Sequence, residues 1–173
     1  MLSGKHALTG GLSASLEHYL RAIWEVRSQR GYARLADVAR ELKVAPPTLS
    51  VGIRTLAARG LVSHDDHRFL LLTAEGERVA REVHHRFAVM HAFLRDVLGV
   101  PEADALSDAC HIEHAVSATT TERVLDLLKL LRSDRPLHDL IQERLAGYHR
   151  DCRPAESCKT CDLSCMVDVA PPA

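Results

Sequence analysis

Four of the five cysteines in this 173-residue chain fall in "DCRPAESCKTCDLSC", residues 151 to 165, and the fifth opens "CHIEH", residues 110 to 114. On a helix, Cys110, Glu113 and His114 stand at i, i+3 and i+4, so all three project from one face within reach of a single ion. Thiolate, carboxylate and imidazole suit a divalent transition metal such as Fe(II), Co(II), Ni(II) or Zn(II) better than hard Mg(II) or Ca(II). Three ligands leave the shell incomplete, so another segment has to supply the rest. A metal bridging two segments can turn binding into a conformational signal. The competing reading is structural: cysteine is often buried as a small apolar residue, and Glu-His pairs decorate solvated faces. The HExxH spacing of zinc hydrolases is absent, which argues against an enzyme.

The tail cysteines Cys152, Cys158, Cys161 and Cys165 follow C-x5-C-x2-C-x3-C. Four thiolates so close in sequence can wrap an iron–sulfur cluster, with a structural zinc ion or a thiol–disulfide switch as the alternatives. The compartment bears on this choice. No run approaches the roughly 20 apolar residues that span a bilayer, and "MLSGKHALTGG" lacks the apolar stretch of a secretory signal. The expected setting is the cytoplasm, with no membrane partner, where thiols stay reduced.

The elements that must position these groups are helical. A Ser13 or Ser15 cap leads into a helix with Leu16, Leu20, Ile23 and Trp24 at helical spacing, closed by Gly31. "LADVARELKV" forms a second helix. "APPTLSVGIRTLAARG" forms a third, with proline at its start and Gly60 just past its end. "LVSHDDHRFLLLT" reads as two short strands around a polar turn. Three helices followed by a two-stranded ribbon is the order of a winged helix-turn-helix, residues 1–73. A long helix then runs from residue 74 to the Gly99 and Pro101 stop. Further helices fall around residues 102–116, 119–131 and 137–148, giving a helical dimerisation and metal-binding domain over 74–149. The cysteine-rich tail occupies 150–173. The fold class is mainly α with a small β-wing.

Charge supports a polyanion partner for the first half. Residues 1–81 carry 12 Lys or Arg against 8 Asp or Glu, and residues 82–173 carry 10 against 15. On the third helix Leu49, Ile53 and Leu56 share the inner face, while Pro47, Val51, Arg54, Thr55 and Ala58 point outward. That small, weakly polar face suits close approach to double-stranded DNA, with methyl contacts to thymine. Thr48, Ser50 and Arg54 are the phosphate candidates, Pro47 and Val51 the base candidates, and Arg68 the wing candidate. The competing class is a redox or electron-transfer protein that uses the winged helix only to bind other proteins.

"SLEHYLRAIW", "GYARLADVARELKVAPPTLS", "LLTAEGERVA" and "CHIEHAVS", in this order, resemble the diphtheria toxin repressor family of metal-dependent transcriptional regulators, which includes the manganese transport regulators. The resemblance implies a homodimeric repressor that binds palindromic operators when loaded with Fe(II) or Mn(II). The chain is expected to lack the SH3-like third domain of longer members. The family's primary metal site falls on His18, Cys110, Glu113 and His114. His18 departs from the usual Met or Asp, and Arg21 stands where the manganese branch has an acidic residue. Sulfur at Cys110 favours Fe(II) over Mn(II). A second family site falls on Phe87, His91 and Leu106 and is expected to be absent or rebuilt, with His84 and His85 as surface residues.

Overall fold

The computed structural model describes residues 11–64 and 69–147. Helix α1 spans Ala14–Arg30 and opens on Ser13, whose Oγ accepts from the Leu16 N–H at 3.4 Å. It closes on Gly31, whose φ of 80° is the left-handed conformation glycine supplies without a Cβ clash. Helices α2, Leu35–Glu41, and α3, Pro46–Ala58, follow, with proline in the first turn of α3. The ribbon consists of β1, Val62–His64, and β2, Leu70–Leu72, paired antiparallel with Val62 opposite Leu72 and His64 opposite Leu70. An isolated bridge from Arg34 to Phe69 ties the ribbon back to the start of α2.

Helix α4, Ala74–Ala92, starts at Thr73, whose Oγ1 accepts from the Gly76 N–H at 3.0 Å and donates to the Gly60 carbonyl at 2.7 Å. One threonine therefore caps the helix and clips it to the turn after α3. The expected long helix does not run regularly to Gly99. Its last turn widens into a π-helical segment, Phe93–Val97, in which the Leu98 N–H reaches the Phe93 carbonyl at 3.1 Å. Helices α5, Glu102–Ile112, α6, Ala118–Ser133, and α7, Arg135–Ala146, complete the described chain. No helix among the described residues is long and apolar enough to cross a membrane.

Two apolar clusters organise these elements. Leu20, Ile23, Val38, Leu49, Ile53, Leu56, Leu70, Val79 and Val83 join α1, α2, α3, the ribbon and the first turns of α4. Val89, Val97, Leu128 and Leu131 join the end of α4 to α6, with Leu137 and Ile141 of α7 against them. Helix α4 belongs to both clusters and is the beam along which the halves align. Burying a leucine or isoleucine contributes roughly 1.5–3 kcal/mol, so the clusters far outweigh any surface ion pair in fixing that alignment.

Candidate metal centre and nucleic-acid interface

The inner stripe of α3 is buried as its periodicity requires: Leu49, Ile53 and Leu56 are sealed in the first cluster, and Gly52 lies beneath the Tyr19 ring. Pro47, Thr48 and Arg54 are exposed, Ser50 is half-buried, and Val51 is 55% exposed. These five residues lie along one helix, and they present the small, weakly polar surface expected from the sequence. Thr55 and Ala58 are exposed on the same helix as expected, and the Thr55 Oγ1 donates to the Val51 carbonyl at 3.2 Å. Arg68 lies outside the described residues, as do Cys152, Cys158, Cys161 and Cys165.

The second constellation forms where α1 meets the end of α5. His18 and Cys110 face each other across a cleft of about 760 Å³ that His111 and His114 also line. The Cys110 Sγ is 3.6 Å from His18 Nε2. The triplet does not lie on regular helix as expected. Helix α5 ends at Ile112, Glu113 is its C-cap, and His114 stands in the turn beyond. The Glu113 backbone remains αR and its N–H still donates to the Ala109 carbonyl at 2.9 Å, so the three side chains keep a common side.

Glu113 is 0% exposed, and neither of its carboxylate oxygens has a hydrogen-bond partner among the described residues. The His114 Nε2 is 3.2 Å from Glu113 Oε1 without hydrogen-bond alignment, and Arg21 Nε is 3.6 Å away, too far for a hydrogen bond. A buried carboxylate with idle lone pairs is costly. Burial first, against the pull of Arg21 and His114, pushes its carboxyl up to about 7. Burial likewise pushes the Cys110 thiol up. His18 moves the other way, down to about 4, because burial and then Arg21 disfavour its cation. The imidazole is therefore neutral near pH 7, with a ring nitrogen free to ligate. Buried carboxylate, thiol and neutral imidazole form a donor set that fits a divalent transition metal.

Three charged groups surround these donors: Arg21, which the family resemblance set at the site, and Glu17 and Arg86, which sequence reasoning missed. Glu17 is 5% exposed and pairs through Oε2 with His114 Nδ1 at 2.8 Å and with Arg86 Nη2 at 3.1 Å. The Arg86 Nε also donates to the Glu113 carbonyl at 3.0 Å. Arg21 donates through Nη2 to Cys110 Sγ at 3.3 Å, and its guanidinium lies 3.9 Å over the Phe87 ring. The available signal was the i, i+4 pair Glu17 and Arg21, set beside the apolar Leu20 and Ile23 on a helix face that packs inward. With Arg21 lodged among them, no three His, Cys, Asp or Glu side chains among the described residues already surround one point as a metal shell would. His18, Cys110 and His114 line one cleft and Glu113 is fully buried beside His114; the shell is not preassembled.

Phe87, His91 and Leu106, the positions expected for the second family site, offer one imidazole and no carboxylate. Phe87 stacks on His91 at 5.8 Å, His91 Nε2 pairs with Glu102 at 3.2 Å, and Leu106 stands exposed at the rim. His84 is half-buried, contrary to the surface expectation, with Nδ1 3.0 Å from Glu25 Oε1 and its ring against Trp24. His85 is exposed as expected.

Comparison with known proteins follows the same division. Residues 11–70 match the iron dependent repressor N-terminal DNA binding domain, and residues 73–142 match the iron dependent repressor metal binding and dimerisation domain. The chain belongs to this family of iron-dependent repressors. It is similar to the HTH-type transcriptional regulator MntR of Bacillus subtilis, 29% identical over 120 residues that make up 69% of this chain and 84% of that protein. MntR of Shouchella clausii is 27% identical over 129 residues, 75% of this chain and 90% of the relative. Among solved structures, T. acidophilum IdeR superposes with a TM-score of 0.60 at 26% identity, covering 65% of this chain and 53% of that one. A manganese-dependent transcriptional repressor in complex with manganese gives 0.59 at 30% identity, covering 66% and 52%. The chain spans about half the length of these solved relatives.

Proposed function

We propose that this chain is a homodimeric winged-helix transcriptional repressor that binds palindromic operator DNA and responds to a divalent transition metal. His18 on the DNA-binding half, with Cys110, Glu113 and His114 on the later half, would hold the ion. The observation that carries this reading is Glu113: a fully buried carboxylate whose two oxygens lack a hydrogen-bond partner among the described residues, beside His114, with Cys110 facing His18 nearby. When bound, the ion supplies the positive charge those donors call for and a bond between the two halves.

The chain's own residues do the rest. Glu17 and Arg86 fix His114 and the Glu113 backbone, and α4 carries the alignment of α1 against α5. Helix α3 offers Pro47 and Val51 to base edges and Thr48, Ser50 and Arg54 to phosphates. In a two-fold dimer, two such helices reach successive major grooves only at the right separation. A broader distribution of separations lowers the apparent affinity by the fraction of competent dimers.

Cys110 alone favours Fe(II), and three solved relatives named for manganese shift the choice towards Mn(II). The deciding experiment is operator selection from random duplex DNA followed by anisotropy titration with Mn(II), with Fe(II) under anaerobic conditions, and with chelator. Tightening by either ion supports the reading; affinities unchanged by chelator refute it. The cytoplasm is the compartment this reading implies. An iron–sulfur or zinc site in the tail rests on cysteine spacing alone, beyond both family matches, and iron, zinc and acid-labile sulfide analysis of anaerobically purified protein distinguishes the two.

A further inference from the structure

The candidate ligands Cys110 and Glu113 already share a cation. The Arg21 guanidinium, on a residue only 5% exposed, reaches Cys110 Sγ at 3.3 Å and Glu113 Oε1 at 3.6 Å. It is held in place from a third side by the Phe87 ring, 3.9 Å from the guanidinium carbon. A side chain gripped on three sides has already lost its rotamer freedom, so it occupies this position at little further entropic cost.

We propose that Arg21 is a resident cation of the ion cleft, competing with a divalent metal for Glu113 and Cys110 and so raising the metal concentration at which the cleft loads. This rests on the reading above that these residues are ion ligands. A metal bound to Glu113 and Cys110 would stand within a few ångströms of the guanidinium, and two cations that close in a protein interior repel strongly. The structure also offers Arg21 an exit. Its Nη1 is 3.8 Å from Glu25 Oε1, a half-buried carboxylate one helical turn further along α1 and anchored by His84. Moving fully onto Glu25, which it already approaches, keeps a carboxylate partner for the guanidinium and leaves the Glu113 oxygens and the Cys110 sulfur to the ion. Phe87 then acts as a positioning residue, because its ring face favours the inward pose.

The test uses the full-length chain with Cys152, Cys158, Cys161 and Cys165 replaced by serine, so that Cys110 is the sole thiol. Co(II) is the probe, since thiolate-to-Co(II) charge transfer reports ligation by Cys110, and calorimetry gives the affinity. Arg21→Met keeps an unbranched stem over Phe87 and removes the charge; it is expected to bind Co(II) about tenfold more tightly, or better. Arg21→Lys, which keeps the charge, stays near the parent. Phe87→Leu, which tolerates folding better than loss of a buried charge partner, shifts the same way by a smaller factor. Circular dichroism checks the fold of each. Equal or weaker Co(II) binding in Arg21→Met and Phe87→Leu, with a Cys110-dependent band intact in the parent, overturns the role of Arg21 and leaves the ion site standing. Absence of that band in every variant overturns the ion site, and the competition with it.

Discussion

His114 Nδ1 lies 2.8 Å from Glu17 Oε2, so a residue of the first helix orients a residue just past the end of the fifth. A carboxylate accepting from Nδ1–H fixes the tautomer in which Nε2 carries the lone pair, and Nε2 is the nitrogen that faces Glu113 at 3.2 Å. Because Glu17 also accepts from Arg86, it is itself held rigid.

The first prediction follows from this pair. Glu17→Gln keeps the side-chain length but no longer enforces the tautomer, and it should weaken Co(II) or Mn(II) binding by about 10–100-fold. Calorimetry on the folded variant measures this. An affinity equal to the parent's would show that His114 is oriented by the backbone turn alone.

The exposed face of α3 divides into two kinds of contact. Arg54→Ala should weaken binding to every duplex alike and lower the slope of log affinity against log salt by about 1, as loss of one phosphate contact does. Val51→Ala should leave the slope intact and relax preference at one position of each half-site. An unchanged slope in Arg54→Ala, with altered sequence preference, would invert these assignments.

Much of this was legible in the chain itself. Ser13 and Gly31 bound α1, and the Leu49, Ile53 and Leu56 stripe oriented α3, because caps and periodicity are local signals. The π-helical segment escaped because its apolar spacing is compatible with an ordinary helix, and only the Leu98 to Phe93 hydrogen bond reveals it. Cys110, Glu113 and His114 were readable as donors from their spacing. Arg21 and Glu17 were not readable as their partners, since pairing across 89 and 97 residues depends on how α1 packs, and i, i+4 charges on one helix ordinarily signal a solvated face.

Ion-free stability should carry an opposed pair of pH dependences. Glu113 rises from 4.5 to about 7 on folding, so between those values the folded chain holds a proton the unfolded chain has lost, and stability falls as pH rises. His18 falls from 6.5 to about 4, so between those values the unfolded chain holds the extra proton, and stability rises with pH. The two offset where the windows overlap. With chelator present, Glu113→Gln should therefore show a Tm that climbs more steeply than the parent's from about pH 4 to 6.5, and His18→Gln one that declines from pH 4.5 to about 7, losing ground to the parent only up to pH 6.5. Parallel profiles in all three proteins would contradict the assignment.

Gly76 tests the junction between the halves. A Cβ there would clash with the Leu61 carbonyl, so the start of α4 has to move away from the turn between α3 and β1. Gly76→Ala should cost about 1–3 kcal/mol or more in urea denaturation. Gly147→Ala, whose nearest approach is 3.4 Å, is the control and should be close to neutral. Equal midpoints for the two variants would mean that the Thr73 clip tolerates the shift.

Helices α6 and α7 leave large apolar side chains in the open: Leu130 is 51% exposed, Leu140 48% and Leu145 47%. Scattered leucines are ordinary on a surface, but with Leu127 there are four on two consecutive helices, apolar area whose burial would stabilise a second copy. If that face lies in the dimer, Leu130→Asp and Leu140→Asp together should place a charge at the contact and yield monomer in sedimentation at micromolar concentration. Circular dichroism should stay unchanged, because neither residue belongs to the buried clusters. Truncation after Gly147, which removes all four tail cysteines but keeps both matched regions, should still sediment as dimer and still tighten on DNA with metal. A monomeric truncation would assign assembly to the tail, and a dimeric double-aspartate variant would move the interface elsewhere on the later half.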